Sequence, residues 1–384
     1  MKKRILILTS VASMILQFNM AIIRLLKDKG YEVEVACNFI AGSTCTKEYI
    51  DLLKKELADM DVSFYQIDFN RNPFCLNKTL KAYKQVKDLF KKNHYDVMHC
   101  HSPIGGMIGR LVARKYRKTG TTVIYTAHGF HFYKGAPKLN WMVYYPIEKF
   151  CSRFTDKLIT INHEDFNLAK TKFHAKEVHY VPGVGIDLSR FENVQADRAA
   201  KRREIGVPED AFLILSVGEL NENKNHQVII RSIAELKDIN DVHYAIVGIG
   251  ENKDFLSNLA QELGVSERLH LLGYRKDIAE LNHISDAFCF PSYREGLGLG
   301  AIEAMACGSP IITSNVHGIN DYSIDGVTGY KRSPNDFAGF ADAILKLYGD
   351  RNMCVQFGEY NKALAGKYDV NVILKIMMEK IYEC

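Results

Sequence analysis

Residues Asp286 to Gly318 read DAFCFPSYREGLGLGAIEAMACGSPIITSNVHG. Ala287 to Phe290 is a short apolar run of the kind that makes a buried parallel strand, and it ends at Pro291. Gly296, Gly298 and Gly300 follow as a turn, and a helix carrying Glu303 begins there. Pro310 to Thr313 is apolar again and reads as the next strand. A helix that starts on a glycine turn presents free backbone N–H groups and the positive end of its dipole, which favours a diphosphate.

Working outward, the same alternation fills the chain. Phe212–Val217, Tyr244–Val247 and Leu269–Leu272 are further strand candidates in the second half. In the first half, Ile5–Leu8, Glu32–Ala36, Val97–Cys100, Thr122–Thr126, Leu158–Ile161 and Val178–Val181 are strand candidates, with helical patterns between most of them. Such alternation implies an α/β protein of two doubly wound parallel sheets, facing across a cleft, with ligands beyond the carboxyl ends of the strands. In VPGVGIDLSRF, Val181 to Phe191, Pro182, Gly183 and Gly185 break the periodicity. The expected domains are therefore 1–185 and 186–365, with a C-terminal helix over 366–384 able to pack back on the first domain.

A length of 384 residues, 47% hydrophobic and 25% charged, suits a globular protein of two domains. The nine cysteines, at 37, 45, 75, 100, 151, 289, 307, 354 and 384, form no C-x-x-C pair, which reads as packing in a reducing compartment. MKKR followed by the uncharged stretch Ile5–Ile23 imitates a signal peptide or a short membrane span. Against both, Phe18, Ala21, Ile22, Leu25 and Leu26 recur at the spacing of an amphipathic helix that Gly30 closes. Up to Leu188 there are 29 Lys/Arg against 17 Asp/Glu, and after it 21 against 28, so the halves carry +12 and −7. The basic half points to an anionic partner, and without a stacking motif a nucleic acid is not the expected one.

EGLGLGAIEAMACGSPII, Glu295 to Ile312, resembles the Glu-x7-Glu signature of glycosyltransferase family 4, whose members share the two-domain GT-B fold. At 1.5 Å rise per residue Glu295 and Glu303 stand up to about 12 Å apart, beyond the roughly 5–9.5 Å of a glycosidase pair. That span suits the two ends of one nucleotide sugar. The resemblance implies that Glu295 contacts the transferred sugar and that Glu303 hydrogen-bonds the ribose. Gly296, Leu297, Gly298 and Leu299 would form the rest of that donor loop.

LSVGELNENKNHQVII, Leu215 to Ile230, is similar to the family's donor-diphosphate loop. Lys224 stands at its lysine position after Gly218, whereas Glu219 occupies the usual arginine position and cannot cradle phosphate. YDVMHCHSPIGGMIGR resembles the family's D-x-x-H-x-H strand end, with His99 and His101 on one strand face and Cys100 on the other. His128, after VIYTA, is implied by the resemblance to approach the donor sugar or the acceptor. A zinc cluster of these histidines with His131 has no supporting ligand spacing, and no metal or cofactor is expected.

GFHFYKGAPKLNWMVYYPIEKF, Gly129 to Phe150, is dense in aromatics and looks like the matching segment of capsule and exopolysaccharide transferases. It suits a sugar platform, a membrane interface or plain aromatic packing. The loop expected after the first strand, VASMILQFN, lacks the family's glycine pair, which leaves Ser10 and Gln17 as bare acceptor candidates with His101 and His128. Asn77–Lys92 reads as a basic amphipathic helix with Leu80, Tyr83, Val86, Leu89 and Phe90 on its apolar stripe. With Arg110, Arg114, Lys115, Arg117 and Lys118 it suits an anionic membrane surface or a solvated face alike.

The expected function is retaining transfer from a UDP-linked sugar to a polysaccharide precursor, lipid-linked, by a cytoplasmic enzyme at the inner face of the membrane. An epimerase or phosphorylase on the same plan, or a non-catalytic nucleotide-sugar-binding subunit, remains open.

Overall fold

The computed structural model describes residues 2–41, 46–70, 75–192, 194–236 and 239–383. Two of the cysteines named above, Cys45 and Cys384, lie outside the described residues. Contacts divide the chain into one unit of Met1–Gly185 with Val370–Cys384, and a second of Ile186–Asp369.

Among the described residues the first unit holds seven parallel strands, β1 Arg4–Leu8, β2 Glu32–Cys37, β3 Ser63–Gln66, β4 Val97–His101, β5 Thr122–Ala127, β6 Lys157–Thr160 and β7 Glu177–Tyr180. Their order across the sheet is β3-β2-β1-β4-β5-β6-β7. Alternation along β1 feeds two cores: Ile5 and Ile7 pack in one, Leu6 and Leu8 in the other. Sheets covered on both faces need such continuous apolar strands.

The described residues of the second unit form six: β8 Phe212–Val217, β9 Val242–Val247, β10 Leu269–Gly273, β11 Ala287–Phe290, β12 Ile311–Ser314 and β13 Gly329–Arg332. Their order is β10-β9-β8-β11-β12-β13, again all parallel. Each sheet reverses its winding once, between β1 and β4 and between β8 and β11. At such a reversal the connections leave in opposite directions and open a crevice at the strand ends.

The C-terminal segment is a two-turn helix, Val370–Met377, followed by a π-helical turn, Met378–Tyr382. Ile373, Met377 and Ile381 join the core that holds Ile5 and Ile23. Lys157 Nζ donates to the carbonyls of Lys380 and Ile381, at 3.1 and 2.9 Å, and holds the turn on the sheet. Gly366–Tyr368, at the start of the tail expected as one helix, is a separate 3₁₀ turn and belongs to the second unit.

Three local expectations are corrected. VASMILQFN is not a loop, because Ala12–Phe18 is helical, with Val11, Ala12 and Ile15 buried. The helix expected to run on to Gly30 is broken at Asn19, and a second one spans Met20–Asp28. Leu80 is no part of the buried stripe of the Leu76–Lys92 helix; it is 57% exposed, while Ala82, Val86, Leu89 and Phe90 face the core.

Candidate functional site

In the second unit the site forms where the sheet reverses. β8 ends at Val217, just before Gly218, and Lys224 closes a 3₁₀ turn before the helix His226–Glu235. A Cβ on Gly218 would lie 3.1 Å from Lys224 Cε, so the bare backbone leaves the lysine stem its path. Lys224 Nζ then reaches Glu295 Oε1 at 2.7 Å and sits 4.9 Å from the centre of the Phe290 ring. Strands β8 and β11, neighbours in the sheet, thus hold the two charged groups together.

The loop that follows Glu295 is closely packed. Gly298 has φ +92, in the left-handed region, and a Cβ there would stand 2.4 Å from Phe290 Cε1. It caps the Leu299–Ala306 helix, which has neither a side-chain cap nor an acidic residue in its first turn. Its leading N–H groups are therefore suited to an anion. Leu297 is buried beside them, and the backbone N–H of Gly318 donates to the Glu295 carbonyl at 3.2 Å.

Glu303 lies inside that helix. Burial pushes its carboxyl up to about 7, with the Arg190 charge offsetting part of the shift. Near neutrality it is ready to donate or accept, as a sugar hydroxyl requires. Glu219 is exposed and accepts from Asn221 Nδ2 at 2.8 Å.

In the first unit, His101 Nδ1 and His128 Nε2 are 3.0 Å apart, and the His99 and His101 rings are 4.2 Å centre to centre. Cys100 packs in the core on the opposite sheet face. His99 is held by Thr126 Oγ1 at 2.8 Å and Tyr382 Oη at 2.6 Å. Burial draws His128 down to about 4 and His99 to about 3, so both imidazoles are neutral at pH 7. Phe18 stacks on His128 at 5.3 Å, and these groups border a cavity of about 40 Å³.

The acceptor candidates are not gathered in one place. His101 and His128 line that small cavity, Ser10 lines a different pocket with His131, and Gln17 is exposed on its helix. Among the described residues no group of three or more His, Cys, Asp or Glu is arranged to hold a metal ion. Sequence reading missed Phe18, Thr126, Tyr382 and Arg190, whose parts depend on contacts distant in sequence and carry no local motif. The basic run is also not one surface. Arg110 is fully buried, 2.8 Å from Glu148 with Tyr125 under its guanidinium, and Arg117 pairs with Asp156 at 2.6 Å.

Two sequence families divide the chain in the same way. The one described as glycosyl transferase 4-like matches residues 4–162, and glycosyl transferases group 1 matches 197–364. A putative glycosyltransferase EpsD of Bacillus subtilis (strain 168) is 36% identical over 371 residues, 96% of this chain and 93% of its own. The chain belongs to the family 4 glycosyltransferases. The transferase is also 29% identical to an Escherichia coli UDP-Gal:alpha-D-GlcNAc-diphosphoundecaprenol alpha-1,3-galactosyltransferase, over 85% of this chain and 82% of that one. Among solved structures, Anabaena Alr3699/HepE in complex with UDP and glucose aligns over all of both chains, with a TM-score of 0.79 at 19% identity. WaaG, a glycosyltransferase involved in lipopolysaccharide biosynthesis, covers 99% of the transferase with a TM-score of 0.73 at 17% identity. At these identities the likeness is one of fold, the GT-B arrangement of two Rossmann-like domains.

Proposed function

We propose that this transferase moves a hexosyl or N-acetylhexosaminyl group from a UDP-sugar, with retention of configuration, to a hydroxyl of a lipid-linked precursor of a surface polysaccharide. The observation that carries the reading is the Lys224–Glu295 pair, 2.7 Å apart, set beside an uncapped helix start and Glu303. Lys224 and the leading N–H groups of Leu299–Ala306 meet the charge that grows on the departing diphosphate. Glu295, oriented by Lys224, accepts from a sugar hydroxyl, and Glu303 meets the ribose. His128, neutral and stacked on Phe18, offers a hydrogen bond without adding charge. No side chain is assigned as a nucleophile, so rate derives from positioning and leaving-group stabilisation. The UDP donor and lipid-linked acceptor are supported by the 29%-identical relative, whose name states both.

Diphosphate charge met by Lys224 and backbone groups needs no divalent ion, so activity should survive EDTA. Loss with EDTA and recovery with manganese would count against this. Membrane association is part of the same proposal: Lys78, Lys84, Lys87 and Lys92 are exposed on the Leu76–Lys92 helix, and no described helix is long and apolar enough to cross a membrane. Binding to anionic but not neutral liposomes, weakened by salt, would be its signature.

The deciding experiment incubates the purified chain with UDP-sugars and a prenyl-diphosphate sugar acceptor. Released UDP together with a new α-glycosidic bond from an α-linked donor is expected. A β-linked product would refute retention, and isomerised UDP-sugar without acceptor would show an epimerase instead.

A further inference from the structure

A pocket of about 420 Å³ opens at the reversal point of the first sheet, lined by Ser10 after β1 and Pro103 after β4. Its walls are largely hydrocarbon, with Ile104 and Met107 from the Pro103–Ala113 helix, Val143 and Ile147 from the Lys138–Ser152 helix, and Leu76 from the Leu76–Lys92 helix, interrupted by Thr79. The size falls within the roughly 300–1,000 Å³ of small-ligand sites. A free sugar would leave its hydroxyls unpaired against such walls, whereas an alkyl or prenyl chain would not.

One end of the pocket is suited to an anion. The Pro103–Ala113 helix begins there with no acidic residue and no side-chain cap in its first turn. Ser102, just before it, is buried with its Oγ unpartnered, and a Cβ added at Gly105 would lie 2.9 Å from that oxygen. Glu148, which also lines the pocket, is held by buried Arg110 at 2.8 Å, so its charge is already met. At the mouth Leu76 is 69% exposed, and its helix also exposes Lys78 and Lys84. Met142, 73% exposed, lies on the helix that supplies Val143. Exposed hydrocarbon on helices that frame a largely hydrocarbon-lined pocket, with exposed lysines on both, matches a lipid with a phosphate head.

We propose that this pocket takes the hydrocarbon chain of a phosphate-headed lipid, with the phosphate at the start of the Pro103–Ala113 helix. It rests on the reading of the chain as a transferase with a lipid-linked acceptor, and it adds where that lipid is held. It also gives Ser10 and the aromatic stretch a place: Ser10, His131 and Tyr144 border the same pocket.

Trp141, the only tryptophan, lies on the Lys138–Ser152 helix one turn before Tyr144, which borders the pocket, and serves as the reporter. Bromine-labelled dodecyl phosphate, kept below its micelle concentration, should quench Trp141 in the full chain. Inorganic phosphate should neither quench nor compete, and bromine-labelled dodecanol should bind more weakly than the phosphate. Met107→Phe and Val143→Phe each fill the pocket from a different wall, and each should weaken binding about tenfold, as displacement of two methylenes would. Leu76→Asp changes only an exposed rim position, so it tests the entrance without risk to the core. A wild-type urea midpoint and wild-type protection of Thr122–Ala127 in hydrogen exchange show that the first unit of each variant is folded. Equal quenching in the wild type and every variant, or quenching only above the micelle concentration, would overturn the pocket. So would absence of quenching in a chain that binds UDP and transfers sugar, and that result leaves the transferase reading standing. Failure of UDP binding and transfer with quenching intact would instead remove the donor reading alone.

Discussion

At the reversal point of the second sheet, Lys224 and Glu295 meet at 2.7 Å over a turn containing Gly296 and Gly298, and a helix start offers bare N–H groups. At that of the first sheet, between β1 and β4, the flanking groups are three neutral histidines on one sheet face and a hydrocarbon-lined pocket with Ser10 at its edge. The same strand order therefore carries opposite chemistry. One sheet end gathers an ion pair beside an uncapped helix start, and the other gathers neutral imidazoles and mainly apolar side chains. A parallel sheet fixes only where its strand ends lie; what binds there depends on a few loop residues.

If that contrast is correct, the largest loss should follow Lys224→Ala. It removes the cation proposed to meet the leaving group and leaves Glu295 without its partner, so turnover should fall roughly 10²–10³-fold, as when one preorganised donor is removed. Steady-state UDP release measures it, and near-normal turnover would break the comparison at its charged end. Gly298→Ala should be the next largest, this time on stability. Alanine resists φ +92 and its Cβ would meet Phe290 at 2.4 Å, which together cost about 2–4 kcal/mol. A urea midpoint equal to that of the wild type would mean that the loop is not fixed.

The two carboxylates should then separate by role. Glu303→Ala should weaken UDP-sugar binding, and Glu295→Ala should mainly slow transfer, each about ten- to a hundredfold for a charge-assisted hydrogen bond. Calorimetry with UDP and single-turnover rates distinguish them. Identical effects of both changes on both measurements would remove the assignment.

Strongly patterned elements were legible in the sequence and contact-dependent ones were not. Phe212–Val217 and Ala287–Phe290 match their strands end to end, because runs buried on both faces are continuous and apolar. Ser63–Gln66 and Gly329–Arg332, at sheet edges, went unread: SFYQ and GYKR carry no such run. The helix break at Asn19 was also missed, since the apolar spacing crosses it unbroken, and the asparagine amide donates to the Met14 carbonyl at 2.8 Å. Charge was the least reliable guide. Arg110 counts among surface cations in the sequence, yet it lies fully buried against Glu148, a partner 38 residues away. The Lys224–Glu295 pair was half visible: the motifs named both residues, but only the β8–β11 neighbourhood brings them together.

The smallest expected effect sharpens the comparison most, because the two regions should respond to pH in opposite directions. Glu303 has its carboxyl raised from the ordinary 4.5 to about 7, so the folded second unit holds a proton that the unfolded chain releases. The contribution of Glu303 is then present in full below 4.5, falls as pH rises, and is lost above about 7, by about 1–2 kcal/mol after allowance for the solvent at its edge, while the buried imidazoles of His226 and His270 in the same unit, lowered to about 4, act in the opposite sense. His128 is lowered from 6.5 to about 4, so there the unfolded chain is the better proton binder. The first unit is stabilised above 6.5 and loses that contribution as pH falls towards 4. Hydrogen exchange, corrected for intrinsic rates, resolves the two regions within one chain. Protection of the Leu299–Ala306 helix should decline from pH 5 to 8, and that of Thr122–Ala127 should decline from pH 6.5 to 4. Glu303→Gln should flatten only the first trend, because glutamine keeps the shape and cannot ionise. Parallel trends in both regions, or a first trend unchanged by Glu303→Gln, would mean that Glu303 and His128 do not set the pH response of their own units.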